Sequence, residues 1–214
     1  MLPGSLRVTV CGGWVASLLV CAAPALANCP PITSPGLSCE PLDGLRARLL
    51  QDGRERILLF FTYRCPKCGP VHEAVSRWEA AAGQPFVQRA HVSFVRGTGL
   101  ARTYYALMQL GLETTISPQL FGAMKDRSYK EDGSDVTAWV MARDMAAGQR
   151  FIGLRDSTEA EDYAAAVTQL VRQLDVKLVP TFVVNRRYRV EVSDAMPETI
   201  AELESVMDVL RRQR

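Results

Sequence analysis

The sequence predicts an α/β protein whose strands are interrupted by a block of helices. Three observations predict it. The run Ile57-Leu58-Leu59-Phe60-Phe61 has the length and composition of a fully buried strand. Cys65-Pro66-Lys67-Cys68 follows almost at once, and the residues behind it can continue as a helix. Residues 100–174 then carry helical patterning throughout, between strand-like segments at 85–95 and 176–192.

The chain has 214 residues, of which 48% are hydrophobic and 22% charged, a balance typical of one folded domain or one domain with an insertion. Its net charge of +2 does not suggest a nucleic-acid or anionic-surface partner. Residues 1–27 read as a secretory leader: Arg7 is the positive start, residues 15–23 are apolar, and Ala25-Leu26-Ala27 is a small-residue cleavage site. A membrane anchor is the rival reading, but the apolar stretch is short for spanning and Pro24 interrupts it. Cleavage after Ala27 removes Cys11 and Cys21 and places the mature chain in an oxidising compartment.

Four cysteines then remain, with three possible pairings. Proximity favours Cys65 with Cys68, which leaves Cys29 and Cys39 as a second bridge in the segment 28–54. That bridge would close a loop containing Pro30, Pro31, Pro35 and Gly36, which has no periodicity to hold it otherwise. In the chain-entropy picture it stabilises by about 3 kcal/mol. A secondary redox pair that exchanges electrons with the first is the other reading of these two cysteines.

In chain order, Leu42, Leu45, Leu49 and Leu50 have the spacing of a short amphipathic helix. The helix behind the Cys-x-x-Cys carries Val71, Val75 and Trp78 on one stripe, and Gly69-Pro70 is expected to kink its second turn. Pro85 to Val95 reads as a strand, and Arg96 to Gly99 as a turn. Four helices are expected next, at 101–110, 117–129, 136–147 and 159–174, the last with a capping box at Thr158 and Glu161. Val176 to Val184 returns to the sheet, and Asn185-Arg186-Arg187 turns the chain into Tyr188 to Val192. Ser193 or Asp194 can cap a final helix that buries Ile200, Leu203, Val206, Met207 and Leu210.

The Cys-x-x-Cys is where chemistry is expected. A cysteine at a helix N-terminus faces unpaired backbone N–H groups, which stabilise its thiolate. Pro66 suits the first helical position, Lys67 adds a cation, and Cys68 returns to the same face as Cys65. Such a pair is also half of a zinc site, but a structural zinc usually needs a second pair at similar spacing, and the gap between Cys29 and Cys39 is loose for that. No metal or cofactor is expected. His91 is read either as a proton relay or as a hydrogen-bonded strand histidine, and Phe60, Phe61 and Tyr63 as core.

Phe60-Phe61-Thr62-Tyr63-Arg64-Cys65-Pro66-Lys67-Cys68 resembles the active-site segment of DsbA-type thiol:disulfide oxidoreductases. Val179-Pro180-Thr181, followed by Phe182-Val183-Val184-Asn185, is similar to that family's cis-proline loop and the strand after it. Residues 89–94 and 104–107 agree with its second strand and first inserted helix. The resemblance implies a thioredoxin-like fold with an inserted all-helical subdomain: core at 55–98 and 175–214, insertion at 99–174. It also implies that Cys65 is the exposed nucleophile, Cys68 the buried resolving thiol, and Val179, cis Pro180 and Thr181 the substrate-binding loop. The expected function is a monomeric periplasmic protein that donates its Cys65–Cys68 disulfide to reduced secreted proteins. A membrane quinone reductase of the DsbB kind would reoxidise it. A reductase or isomerase of the same fold is the alternative, and a zinc-binding or chaperone-like module is a remote one. The chain departs from the family at Leu59, where a buried acid is common, and at Lys67, where histidine is more familiar.

Overall fold

The computed structural model of the protein describes residues 28–42, 57–83, 87–94, 97–130 and 134–213. The expected leader and the expected helix after Leu42 lie outside the described residues. Five strands form one sheet in the order β1-β5-β4-β2-β3: β1 Leu37–Pro41, β2 Ile57–Phe61, β3 Val87–His91, β4 Thr181–Val184 and β5 Tyr188–Val192. Strands β2 and β3 run parallel, and the other pairs are antiparallel. All five residues of β2 are buried. A strand buried on both faces has no polar alternation, which is why this segment reads as a continuous apolar run. Each such side chain contributes about 1.5–3 kcal/mol of burial.

Seven helices complete the described fold: α1 Cys68–Ala81, α2 Gly99–Gln109, α3 Glu113–Lys125, α4 Ser134–Arg143, α5 Met145–Arg155, α6 Thr158–Gln173 and α7 Pro197–Arg212. Helices α1 and α7 pack together with α7 also on β4, while α2 and α6 pack together on β3. The helices α2 to α6 form the block inserted between β3 and β4. The fold is thus the expected α/β type, a thioredoxin-like sheet with a helical insertion.

Several boundaries differ from the sequence reading. Five helices, not four, separate β3 from β4. The expected helix at 136–147 breaks at Asp144, whose backbone is extended and whose carboxylate accepts the Ala146 N–H at 2.8 Å. The chain therefore restarts as α5 across residues read as a separator. Gly148 marks a close helix crossing there, because a Cβ at that position would collide with Met141 of α4. The cap of α6 is Ser157, whose hydroxyl accepts the Ala160 N–H, one residue before the expected Thr158. Helix α3 begins at Glu113, a turn before the expected start, and contains Pro118.

Helix α1 begins at Cys68, so Pro66 lies in the preceding turn and not at the first helical position. Pro70 is consequently the third helical residue, where no intrahelical donor is lost and no kink is required. Residues 176–180 form a loop before β4, not the start of the strand. Strand β1 was not read from the sequence at all. It is an edge strand, Leu37-Ser38-Cys39-Glu40-Pro41, with only Leu37 buried, so it shows no hydrophobic alternation. The turn at 185–187 is as expected, with Asn185 and Arg186 at positive φ. The final helix buries Leu203, Val206, Met207 and Leu210, but it lacks a side-chain cap and starts with Pro197.

Candidate thiol–disulfide site

The buried strand β2 carries the chain into a tight turn. The Cys65 N–H donates to the Thr62 carbonyl at 3.1 Å, and the Cys68 N–H donates to the Cys65 carbonyl at 3.0 Å. Tyr63 anchors this turn from below: its side chain is buried, and its hydroxyl lies 2.8 Å from Ser117 Oγ of α3. Both cysteines are free thiols, Cys65 half-buried and Cys68 buried.

Their surroundings pull the two thiols apart. Cys65 is lowered to about 6 by a hydrogen bond from the Cys68 thiol, the backbone N–H groups of Cys68 and Lys67, and the Lys67 charge, against partial burial. Backbone N–H groups at the start of α1 thus contribute to the lowering, although Cys65 itself precedes the helix. Cys68 is pushed far up by burial and by the neighbouring Cys65 sulfur. One sulfur is poised to be a thiolate at neutral pH, and the other keeps its proton.

The second half of the site comes from the loop before β4. The Val179–Pro180 peptide bond is cis. The Cys65 thiol donates to the Val179 carbonyl at 3.4 Å, across 114 residues of sequence. Thr181 opens β4 directly after this loop; its hydroxyl donates to the Leu178 carbonyl at 2.8 Å and its side chain is fully buried. Its hydroxyl supports the loop from inside.

The sequence candidates divide accordingly. Cys65, Cys68, Lys67, Val179 and Pro180 come together, and Pro66 forms the exposed turn between the cysteines. Lys67 Nζ donates to the Ser193 carbonyl at 3.0 Å. His91 lies in the core beneath the cysteine turn. It is buried, its Nε2 accepts the Tyr63 N–H at 3.2 Å, and burial lowers it to about 3, so it stays neutral. Phe60, Phe61 and Tyr63 are core, as expected. Cys29 and Cys39 form a disulfide.

Two residues near the site were missed. His72 lies one turn beyond Cys68 on α1, buried against Phe61 and Phe121, and is lowered to about 3 by burial. The four-residue spacing from Cys68 was its only sequence signal. The other is Ser193, whose carbonyl no sequence pattern marks. Leu59, where the resemblance leads one to expect an acid, is wholly buried and sits in register with Arg89 of β3. That cation finds its carboxylate elsewhere: Arg89 pairs with Glu79 of α1 at 2.6 Å, both nearly inaccessible. Beside the site, a cavity of about 440 Å³ is lined by Thr62, Arg64, His91, Phe94, Leu100 and Tyr129, among others. Among the described residues no cluster of His, Cys, Asp and Glu could hold a metal ion.

A thioredoxin-like sheet that sets a Cys-x-x-Cys against a cis proline defines the class of thiol-redox proteins. Comparison with known proteins finds this chain similar to thiol:disulfide interchange proteins of the DsbA type. It is 26% identical over 139 residues to the thiol:disulfide interchange protein DsbA of Bordetella parapertussis, a match covering 64% of this chain and 66% of that protein. It is 23% identical over 164 residues to DsbA of Burkholderia cepacia, covering 75% and 76%. Reduced DsbA1 of Neisseria meningitidis superposes with a TM-score of 0.64 at 19% identity, over 86% of this chain and 96% of that one. DsbA of Proteus mirabilis, solved with a non-covalently bound peptide, superposes with a TM-score of 0.59 at 17% identity, over 86% and 100%. No family profile matches the chain.

Proposed function

We propose that the protein is a thiol:disulfide oxidoreductase that donates its Cys65–Cys68 disulfide to the thiols of newly exported proteins. The observation that carries this reading is the Cys65 sulfur: half-exposed, lowered to about 6, and in contact with the carbonyl that precedes cis Pro180. In the oxidised form a client thiolate attacks Cys65 Sγ, the Cys65–Cys68 bond breaks, and the electron pair leaves on Cys68. Cys68 takes up a proton, as its environment favours. A second client thiolate then attacks the client sulfur of the mixed disulfide and expels Cys65 as a thiolate. The client has lost two electrons and gained a disulfide, and the protein is left as the dithiol.

The low affinity of Cys65 for protons makes it a good leaving group in that second step, and it favours the reduced protein, hence oxidation of the client. The loop at Val179 and Pro180 is the place where an extended client segment would lie against the sulfur. The leader at 1–27 supports a periplasmic location, and a DsbB-like membrane quinone reductase would restore the disulfide. We take the working unit to be a monomer.

The test is the equilibrium constant between the Cys65–Cys68 pair and glutathione. An oxidase gives a weakly held, strongly oxidising disulfide. A pair more reducing than glutathione would make the protein a reductase and overturn the direction proposed.

A further inference from the structure

Three consecutive residues at the end of β5 tie the two halves of the thiol site to a third part of the chain. The Val192 N–H donates to the Pro180 carbonyl at 3.0 Å, holding the cis-proline loop. The Ser193 carbonyl accepts Lys67 Nζ at 3.0 Å. The Ser193 N–H donates to the Gly36 carbonyl at 2.8 Å, and the Asp194 carboxylate lies so close over Gly36 that a Cβ there would overlap it. A side chain at 36 would have to displace that carboxylate.

Gly36 belongs to the loop closed by the Cys29–Cys39 disulfide. That loop is pinned at its other side as well. The Thr33 and Ser34 N–H groups both donate to the Glu202 carboxylate at 2.6 Å, and Ser34 Oγ lies 2.6 Å from Thr199 Oγ1. A covalently closed, doubly anchored loop thus sets the position of the Ser193 peptide, which in turn receives the lysine between the two cysteines.

The consequence is electrostatic. A lysine ammonium on a four-carbon stem samples many positions in solvent, and a cation averaged over them acts weakly on a sulfur a few ångströms away. A fixed acceptor selects one position. We propose that the disulfide-closed N-terminal loop is a positioning element for Lys67, acting through Gly36 and Ser193 to hold the ammonium where it stabilises the Cys65 thiolate. This inference rests on the reading of Cys65 as the reactive sulfur. The disulfide is then neither a spare redox couple nor only a stabiliser of the fold. Asp194 is lowered chiefly by hydrogen bonds from Thr199 and the Met196 N–H, with a smaller contribution from the Lys67 charge.

The experiment is titration of the Cys65 thiolate by its ultraviolet absorbance in the full mature chain. The proteins compared are the wild type, Gly36→Ala, Lys67→Gln, the double variant, and Cys29→Ser with Cys39→Ser, which opens the loop without adding atoms. In Gly36→Ala and in the serine pair, the acid dissociation constant of Cys65 should fall about threefold, the size expected of a partly screened charge. In the Lys67→Gln background Gly36→Ala should add nothing. An unchanged constant in both loop variants, or the same fall without Lys67, would overturn the inference, and the serine pair decides it if Gly36→Ala does not fold. If the wild-type Cys65 titrates as an ordinary thiol, it is the functional reading that fails instead.

Discussion

The Cys65 sulfur lies 3.4 Å from the carbonyl oxygen of Val179, so two residues 114 positions apart in sequence meet at one site. The thiol donates to that carbonyl when protonated and loses the contact when ionised. This neighbour alone would favour the thiol. The thiolate prevails because the Cys68 thiol and the N–H groups of Lys67 and Cys68 converge on the sulfur.

The two cysteines should therefore fail differently when replaced. Cys65→Ser removes the exposed sulfur and should abolish exchange with a reduced peptide. Cys68→Ser leaves a nucleophile that can form a mixed disulfide but has no internal thiol to resolve it. Non-reducing gels of the two variants after incubation with an oxidised client should show trapped adducts with Cys68→Ser only.

The pH dependence of stability follows from the Cys65 shift. Its pKa is about 6 in the folded dithiol against an ordinary value of 9.0, so the unfolded chain binds more protons between those limits. The stabilisation from Cys65 is fully present near pH 9 and is lost as pH falls towards 6. Cys68 is raised and stays protonated over this window. Urea unfolding of the reduced and oxidised forms should show the reduced form gaining on the oxidised one as pH rises from 6 to 8.5.

Glu79 should matter for folding more than its place on a helix suggests. It neutralises Arg89 at 2.6 Å in a nearly water-free setting, and it also accepts the Val87 N–H at 2.8 Å. Glu79→Gln leaves the Arg89 charge buried and unpaired, and denaturant unfolding should show a loss of about 3–5 kcal/mol.

Tyr63 links the cysteine turn to the helical insertion through Ser117. Tyr63→Phe deletes that hydroxyl and leaves Ser117 Oγ buried without it, a loss of about 1–3 kcal/mol by denaturant unfolding. The Cys65 thiol titration should be unchanged, because Tyr63 is not among the groups that lower it.

The cap of α6 gives a cleaner comparison. Ser157→Ala should destabilise the protein by about 1 kcal/mol by losing the acceptor for the Ala160 N–H. Thr158→Ala, the residue that sequence spacing would choose, should leave thermal stability nearly unaltered.

Local chemistry sufficed for the parts of this protein that depend on neighbours in sequence. The five apolar residues of β2, the cysteine pair behind them and the 3.6-residue stripe of α7 are legible because burial on both faces, a short turn and helical periodicity each leave a mark within a few residues. The DsbA resemblance extended this reading to cis Pro180. What decides the behaviour of the site lies across the fold. Leu59 and Glu79 are separate positions in the sequence, and only the register of β2 with β3 shows that Arg89 lies beside one and pairs with the other. Ser193 acts through its backbone carbonyl, which every residue type carries, so no side-chain pattern could have announced it. Strand β1 and its Gly36 contact likewise depend on pairing with β5, some 150 residues away, because the energy of an edge strand resides in its partner and not in its own composition.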